Sequence, residues 1–344
     1  MARRYRNLIA QIADKENLWH SYHKASMGRR SSSGYLNFKE YDAAAIDRLH
    51  DLLISGEYRP GAYREFWVYE PKPRQIAALP FRDRIVQHAM VGVIGPIFEA
   101  GMLPQSHACR KGMGMHSGAI RCQQLIRQLG KSGRPVFALK TDFSRYFHSI
   151  QRDVLWQQID RKISCRATRS LIEQFTPRDG VGIPIGNLSS QLWANVYGTQ
   201  VDRLLCQTFK TPTFIRYMDD IVVLHNSRAF LEELQGFMEL FCRHSLGLRF
   251  SKWSIRPASL GVNFLGYRIF RDYKLMRKQS VTRAKLKIRR YITRGEWDKL
   301  RKFWPAWKGH AQWADSHNLI NHLNNYAREH YVRTHEHGQC ALPG

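Results

Sequence analysis

Acidic residues are scarce in this chain of 344 residues: 28 stand against 54 lysines and arginines, a formal charge of +26. A folded chain bears such self-repulsion best beside a polyanion, which makes nucleic acid the leading partner. Long hydrophobic runs are missing as well. The longest, Ala89 to Phe98, is interrupted by Gly92, Gly95 and Pro96 and is too short to span a bilayer. The basic start Met1-Ala-Arg-Arg-Tyr-Arg6 has no apolar stretch behind it, which excludes a secretory signal. There is no internal repeat, so solenoids and propellers are excluded. The six cysteines include no CxxC pair, which argues against a zinc module or a disulfide framework and for free thiols in a reducing compartment. The expected location is cytoplasmic, without membrane attachment. Apolar residues are not lacking: at 43 % they can fill a real core, and disorder is excluded for most of the chain.

Periodicity organises the chain coarsely. Leu8, Ile9, Ile12, Leu18, Trp19 and Tyr22 fit one amphipathic helix. A loop follows at Gly28–Gly34, and Phe38, Tyr41, Ile46, Leu49, Leu52 and Leu53 fit a second helix. Tyr58 to Ala78 reads as short strands, and Ile85 to Phe98 as a buried helix. A loop is expected over about 100 to 118. Pro135 to Asp142 reads as a strand ending in an acid, and helices are expected around Leu188–Leu205 and Leu231–Phe241. Phe214 to Leu224 has the pattern of a hairpin around Asp219-Asp220, and Phe264 to Phe270 that of a short strand. From Arg271 to Lys308 there are 14 basic and 3 acidic residues, punctuated by tryptophans that continue to Trp313. Basic side chains interleaved with aromatics suit a helical lobe gripping a phosphate backbone, whereas a solvated charged face with tryptophan core anchors is the plainer alternative.

Against this basic background three acids stand out. Asp142 closes an apolar strand, and Asp219 and Asp220 lie at the tip of Arg216-Tyr-Met-Asp-Asp-Ile-Val-Val-Leu224. Adjacent carboxylates repel one another and need a cation or water to stay ionised. Phosphoryl transfer with two Mg²⁺ ions supplies the reason for such a set: bridging carboxylates hold both ions, one activating a 3′-hydroxyl and the other steadying the leaving pyrophosphate. An ordinary turn is the usual reading of an Asp-Asp pair, but not between two apolar runs.

At these residues the sequence resembles the reverse transcriptases. Tyr217-Met-Asp-Asp220 is similar to their motif C and Asp142-Phe-Ser-Arg-Tyr-Phe147 to motif A. Phe264-Leu-Gly-Tyr267 resembles the primer-grip segment, and Lys252 occupies the motif D position. Lys72-Pro-Arg74 with Phe81 to Gln87 resembles the fingers, and Gly309 to Asp315 the thumb, of the bacterial, group II intron-like branch. The resemblance implies an α+β right-hand polymerase whose palm is an antiparallel sheet backed by helices. Its expected divisions are an N-terminal helical extension over 1–60, fingers over 61–134, palm over 135–270 with a contribution from 85–134, and a helical thumb over 271–344. It implies RNA-directed DNA synthesis with two Mg²⁺ ions, for which Mn²⁺ is a possible substitute. Asp142, Asp219 and Asp220 are then catalytic metal ligands, joined by the Phe143 carbonyl. Lys72 and Arg74 reach the triphosphate, Phe147 gates the sugar, and Lys252 is a candidate acid for pyrophosphate or simply a surface charge. Tyr217, Met218 and Gln191 fall at the primer and template, as do Phe264, Leu265, Gly266 and Tyr267.

One segment selects a subfamily. Ile183-Pro-Ile-Gly-Asn-Leu-Ser-Ser-Gln191 carries Ile185 where the branch usually has glutamine and Gln191 where it usually has proline. That pattern is similar to the reverse transcriptases of diversity-generating retroelements, in bacteria and their phages. The resemblance implies error-prone copying of a template-repeat RNA, with adenines mutagenised, so that the cDNA diversifies a variable gene. It also implies a basic helical accessory multimer, the accessory variability determinant, expected as a pentamer. Gly186 is expected to permit close backbone approach to nucleotide or template. Ile185 offers shape where an amide would offer a hydrogen bond, an exchange worth about 0.5–1.5 kcal/mol in selectivity. The rivals are a retron or group II intron enzyme, and a catalytically inactive RNA-binding factor; the three acids argue against the last.

Overall fold

In a computed structural model of the chain, residues 4–69 and 73–334 are described. The first helical stripe is split in two, α1 (Leu8–Ala13) and α2 (Lys15–Ser26). The break falls at Asp14, whose carboxylate accepts from the Asn17 N–H at 3.0 Å and so starts α2 afresh. The expected loop and second helix divide differently too. Ser32 caps α3 (Ser33–Lys39), which takes Gly34 and Phe38, and α4 (Asp42–Ser55) follows with Tyr41 exposed. A two-stranded ribbon, β1 (Arg64–Val68) and β2 (Arg74–Ala78), projects from these helices with β1 exposed throughout. Then comes α5 (Phe81–Glu99), the apolar helix expected from its composition, which packs on α1, α2 and α3.

After α6 (Met115–Gly130) the chain enters β3 (Phe137–Phe143), followed by α7 (Tyr146–Ser149), α8 (Arg152–Lys162), α9 (Arg166–Phe175) and α10 (Leu188–Arg203). The expected hairpin is β4 (Phe214–Tyr217) and β5 (Asp220–His225); α11 (Arg228–Leu246) and β6 (Phe250–Pro257) come next. These strands form one antiparallel sheet in the order β4-β5-β3-β6. Side chains alternate across a strand, and here both faces are buried. Leu139, Phe214, Ile221 and Val223 join the core of α1–α5 and α8–α11. Ala138, Ile215, Val222 and Leu224 join a second core. At the outer edges, the backbone of Gln105 and His107 pairs with Arg216 of β4, while β6 exposes Ser251, Lys252 and Arg256.

The second core is closed by a small sheet, β7 (Val262–Phe264), β8 (Tyr267–Ile269) and β9 (Lys274–Met276), and by helices α12 (Lys278–Thr293), α13 (Trp297–Ala311) and α14 (His317–Thr334). Phe264 to Phe270 is therefore not one strand. It is a hairpin whose turn places Leu265 and Gly266 at φ 49° and 87°, and glycine takes that conformation without strain. The basic stretch is helical from Lys278 onward, as expected, but its first part contains β9.

Candidate active site

The site is built on the two central strands. Pairing of β3 with β5 sets Asp142 directly opposite Asp220, and Asp219 precedes Asp220 in the turn from β4. The turn is held from below. Arg216, wholly buried, donates to the Met218 carbonyl at 3.2 Å, where Met218 has φ 55°. Its guanidinium also makes a two-pronged contact with Asp202 of α10, Nε to Oδ1 and Nη2 to Oδ2, both at 2.7 Å. Ser106 and Asn195 take further guanidinium protons. Gly198 makes room: a β-carbon there would lie 2.5 Å from Arg216 Nη1.

Asp142 is held from the other side. The register between β3 and β6 shifts after Asp142, which pairs with Lys252, so that Phe143 pairs with Phe250 and Ser251 is the extra residue. A bulge of this kind redirects a side chain, and the Ser251 hydroxyl donates to Asp142 Oδ1 at 2.6 Å. Burial pushes the Asp220 carboxyl up to about 6; neighbouring Asp219 and Asp142 push the same way, and Lys140 opposes them. Asp220 Oδ1 is buried without a hydrogen-bond partner. Among the described residues, no group of three or more His, Cys, Asp or Glu side chains stands ready to hold a metal ion. The donor set nevertheless fits a hard divalent cation: the oxygens of opposed carboxylates, one of them buried and unsatisfied, are what such a charge would stabilise.

The other expected residues fall into neighbouring groups. Lys72 lies outside the described residues; Arg74 is exposed on β2, opposite Val68. Gly186, at φ 124°, makes its close approach to β2: a β-carbon would lie 2.5 Å from the Ala77 carbonyl oxygen. Ile185, half-buried, accepts from the Ala77 N–H at 2.8 Å, so this segment ties the ribbon to the body. Phe147 is half-buried on α7, edge-on to Tyr146, and its carbonyl accepts from the Ile183 N–H. Gln191 is exposed and accepts from the Cys109 thiol at 3.5 Å. Tyr217 is half-buried and pairs with Asp220. Phe264 and Tyr267 are buried in the second core, and the Tyr267 hydroxyl donates to the His310 carbonyl at 2.9 Å, pinning the β7–β8 hairpin to α13.

Sequence reasoning missed Arg216, Asp202, Ser251 and Lys140 as site residues. A lone arginine in the apolar run Phe214-Ile-Arg-Tyr217 was a signal, because a buried guanidinium demands a partner. Ser251 gave none, since the bulge that aims it belongs to the pairing of distant strands.

An antiparallel sheet with acids on its two central strands, helices behind it and a basic helical lobe beyond is the architecture of a right-hand polymerase. Residues 70–269 match the family described as reverse transcriptase (RNA-dependent DNA polymerase). That is more than half of the chain, and the chain belongs to this family. A curated relative, Protein YkfC of Escherichia coli, is 26 % identical over 280 residues, covering 67 % of this chain and 72 % of its own length. A putative COX1/OXI3 intron 1 protein of Saccharomyces cerevisiae is 25 % identical over 174 residues; the match covers 46 % of this chain and 20 % of the yeast protein. Among solved structures, telomerase from Candida albicans, in complex with a fragment of telomeric RNA, is 9 % identical with a TM-score of 0.48, over 83 % of this chain and 62 % of that one.

Proposed function

We propose that the chain copies RNA into DNA at the Asp142–Asp220 pair, within a diversity-generating retroelement. The observation that carries the first part is the cross-strand opposition of these two acids, with Asp219 beside them and one buried oxygen unsatisfied. Asp142, Asp219 and Asp220, with the Phe143 carbonyl, would hold two Mg²⁺ ions, which when bound supply activation of a 3′-hydroxyl and charge stabilisation on the triphosphate. The chain's own part is placement. Arg216 fixes the turn and Ser251 fixes Asp142. Arg74 and Lys72 neutralise the triphosphate, Phe147 lies under the sugar, and Lys252 stands opposite Asp142 as a proton source for pyrophosphate.

Primer and template follow the basic lobe. A groove of about 690 Å³ runs from Gly266 along α12, lined by Arg277, Arg283, Lys287, Arg290 and Trp307. Its charge suits phosphates and its apolar walls suit sugars. Tyr217, Met218, Gln191 and the Phe264–Tyr267 hairpin border the primer end. In this reading residues 61–134 act as fingers, 135–270 as palm and 271–344 as thumb, after the helical extension 1–60. Among the described residues no helix is long and apolar enough to cross a membrane, and a cytoplasmic site of action belongs to the same reading.

The retroelement assignment rests on Ile185 and Gln191 in the segment 183–191. It brings a template-repeat RNA, adenine-directed errors and a basic helical accessory multimer as partner. The similarity to the yeast intron protein favours a second reading, an intron-type enzyme. Extension of oligo(dT) on poly(rA) with Mg²⁺ tests the chemistry, and Asp142→Asn should abolish it while RNA binding persists. Sequencing cDNA made on a mixed RNA template separates the two readings. Errors concentrated opposite adenine favour the retroelement enzyme, whereas uniform low error removes that assignment.

A further inference from the structure

Like charges placed directly opposite one another destabilise a sheet, and Asp142 and Asp220 are so placed. Lys140 shares their face of β3, two residues before Asp142, as the alternation of a strand requires. Its Nζ lies 3.5 Å from Asp220 Oδ2. The same ammonium donates to the Asn263 carbonyl at 2.6 Å, across 123 residues of sequence. Asn263 is the middle residue of β7, and the next residue enters the Leu265–Gly266 turn. Both charged side chains are about a quarter exposed, at 27 % and 28 %, so solvent screens the pair and its Coulomb energy is small. What the contact sets is position: one nitrogen, with three protons to give, spans the acid and the hairpin.

We propose that Lys140 is a positioning residue that couples the carboxylate pair to the β7–β8 hairpin. This rests on the reading of Asp142 and Asp220 as the reaction centre. The hairpin is fastened to α13 through Tyr267 and His310, so Lys140 completes a chain of contacts from the basic lobe to Asp220. A primer end seated against the hairpin is thereby held in register with the acid. The side chain itself need not touch substrate.

The test compares Lys140→Met and Lys140→Arg in the full chain, by steady-state extension of a DNA primer on RNA across dNTP and Mg²⁺ concentrations. Methionine keeps length and apolar contact but cannot tether; arginine keeps charge and several donors. Lys140→Met should lower kcat by about ten- to a hundredfold, the cost of a misplaced reacting group, and raise the Mg²⁺ needed for half-maximal rate. Its Kd for primer–template without divalent ions and its Tm should stay near wild type, and Lys140→Arg should recover most of the rate. The proposal is overturned if Lys140→Met keeps kcat and Mg²⁺ dependence within about twofold of wild type. It is also overturned if both variants lose rate equally and only in step with Tm, which a purely structural role would give. Wild-type extension by Asp142→Asn would instead overturn the polymerase reading itself, and this proposal with it.

Discussion

Arg216 and Asp202 are joined by two parallel 2.7 Å contacts with neither side chain exposed to solvent. The pair links β4, which leads into the acidic turn, to the helix behind the sheet. Charges taken out of water at this depth are tolerable only together, and removal of one leaves the other uncompensated. Asp202→Asn should therefore destabilise the fold by about 3–5 kcal/mol. Urea unfolding of the two proteins measures this; a change below about 1 kcal/mol would mean that Asn195 and Ser106 suffice for Arg216.

Phe147 stands on α7, four residues after Phe143, with its ring edge-on to Tyr146. If it lies beneath the sugar of the incoming nucleotide, Phe147→Ala should reduce discrimination against ribonucleotides by about 10- to 100-fold. Single-nucleotide incorporation with dTTP and UTP decides this, and unchanged rejection of UTP would remove the assignment.

Ile185 joins the ribbon to the body through its carbonyl, and in the proposed reading its side chain shapes the nucleotide site. Ile185→Gln should lower misincorporation opposite template adenine by about three- to tenfold, the worth of one buried hydrogen bond. Equal error spectra for the two proteins would place fidelity elsewhere.

Acidity should weaken the fold through two histidines. Burial, reinforced by nearby arginines and a lysine, pushes His88 and His107 down to about 4. Above the ordinary histidine range both are neutral, folded or unfolded, and their stability contribution is complete. As pH falls from about 6.5 towards 4, the unfolded chain takes up protons that the folded chain refuses, and stability is lost. For the buried His107, whose Nε2 has no partner, the loss approaches about 3 kcal/mol. It is less for the half-buried His88. Asp220, raised to about 6, acts in the opposite sense over the same window and offsets part of it. Unfolding at pH 7.5 and 5 should give the lower stability at pH 5, and His107→Gln should flatten the difference.

Much of this architecture was legible in the sequence because it obeys a local period. The alternation in Phe214–Leu224 marked the hairpin, and the apolar density of Ile85–Phe98 marked α5. The reading failed where tertiary pairing decides. β6 is an edge strand with exposed Ser251 and Lys252, so it lacks the apolar signature of a core strand, and its bulge is set by β3. Phe264–Phe270 hides a turn because Leu265 adopts a conformation that leucine seldom takes. At the site, the acids announced themselves by sitting among apolar residues. Their supports did not: Lys140 is one more cation in a basic chain until β7 is laid beside it.

The two rims of the four-stranded sheet have a consequence for handling the protein. One is occupied by the chain's own Gln105–His107 segment, and the other carries exposed Lys252 and Arg256 and ends in Pro257. Charge and proline on an outermost strand discourage a second molecule from zipping onto it. Concentrated solutions should thus resist fibre-like association, even though the sheet is rich in valine and isoleucine.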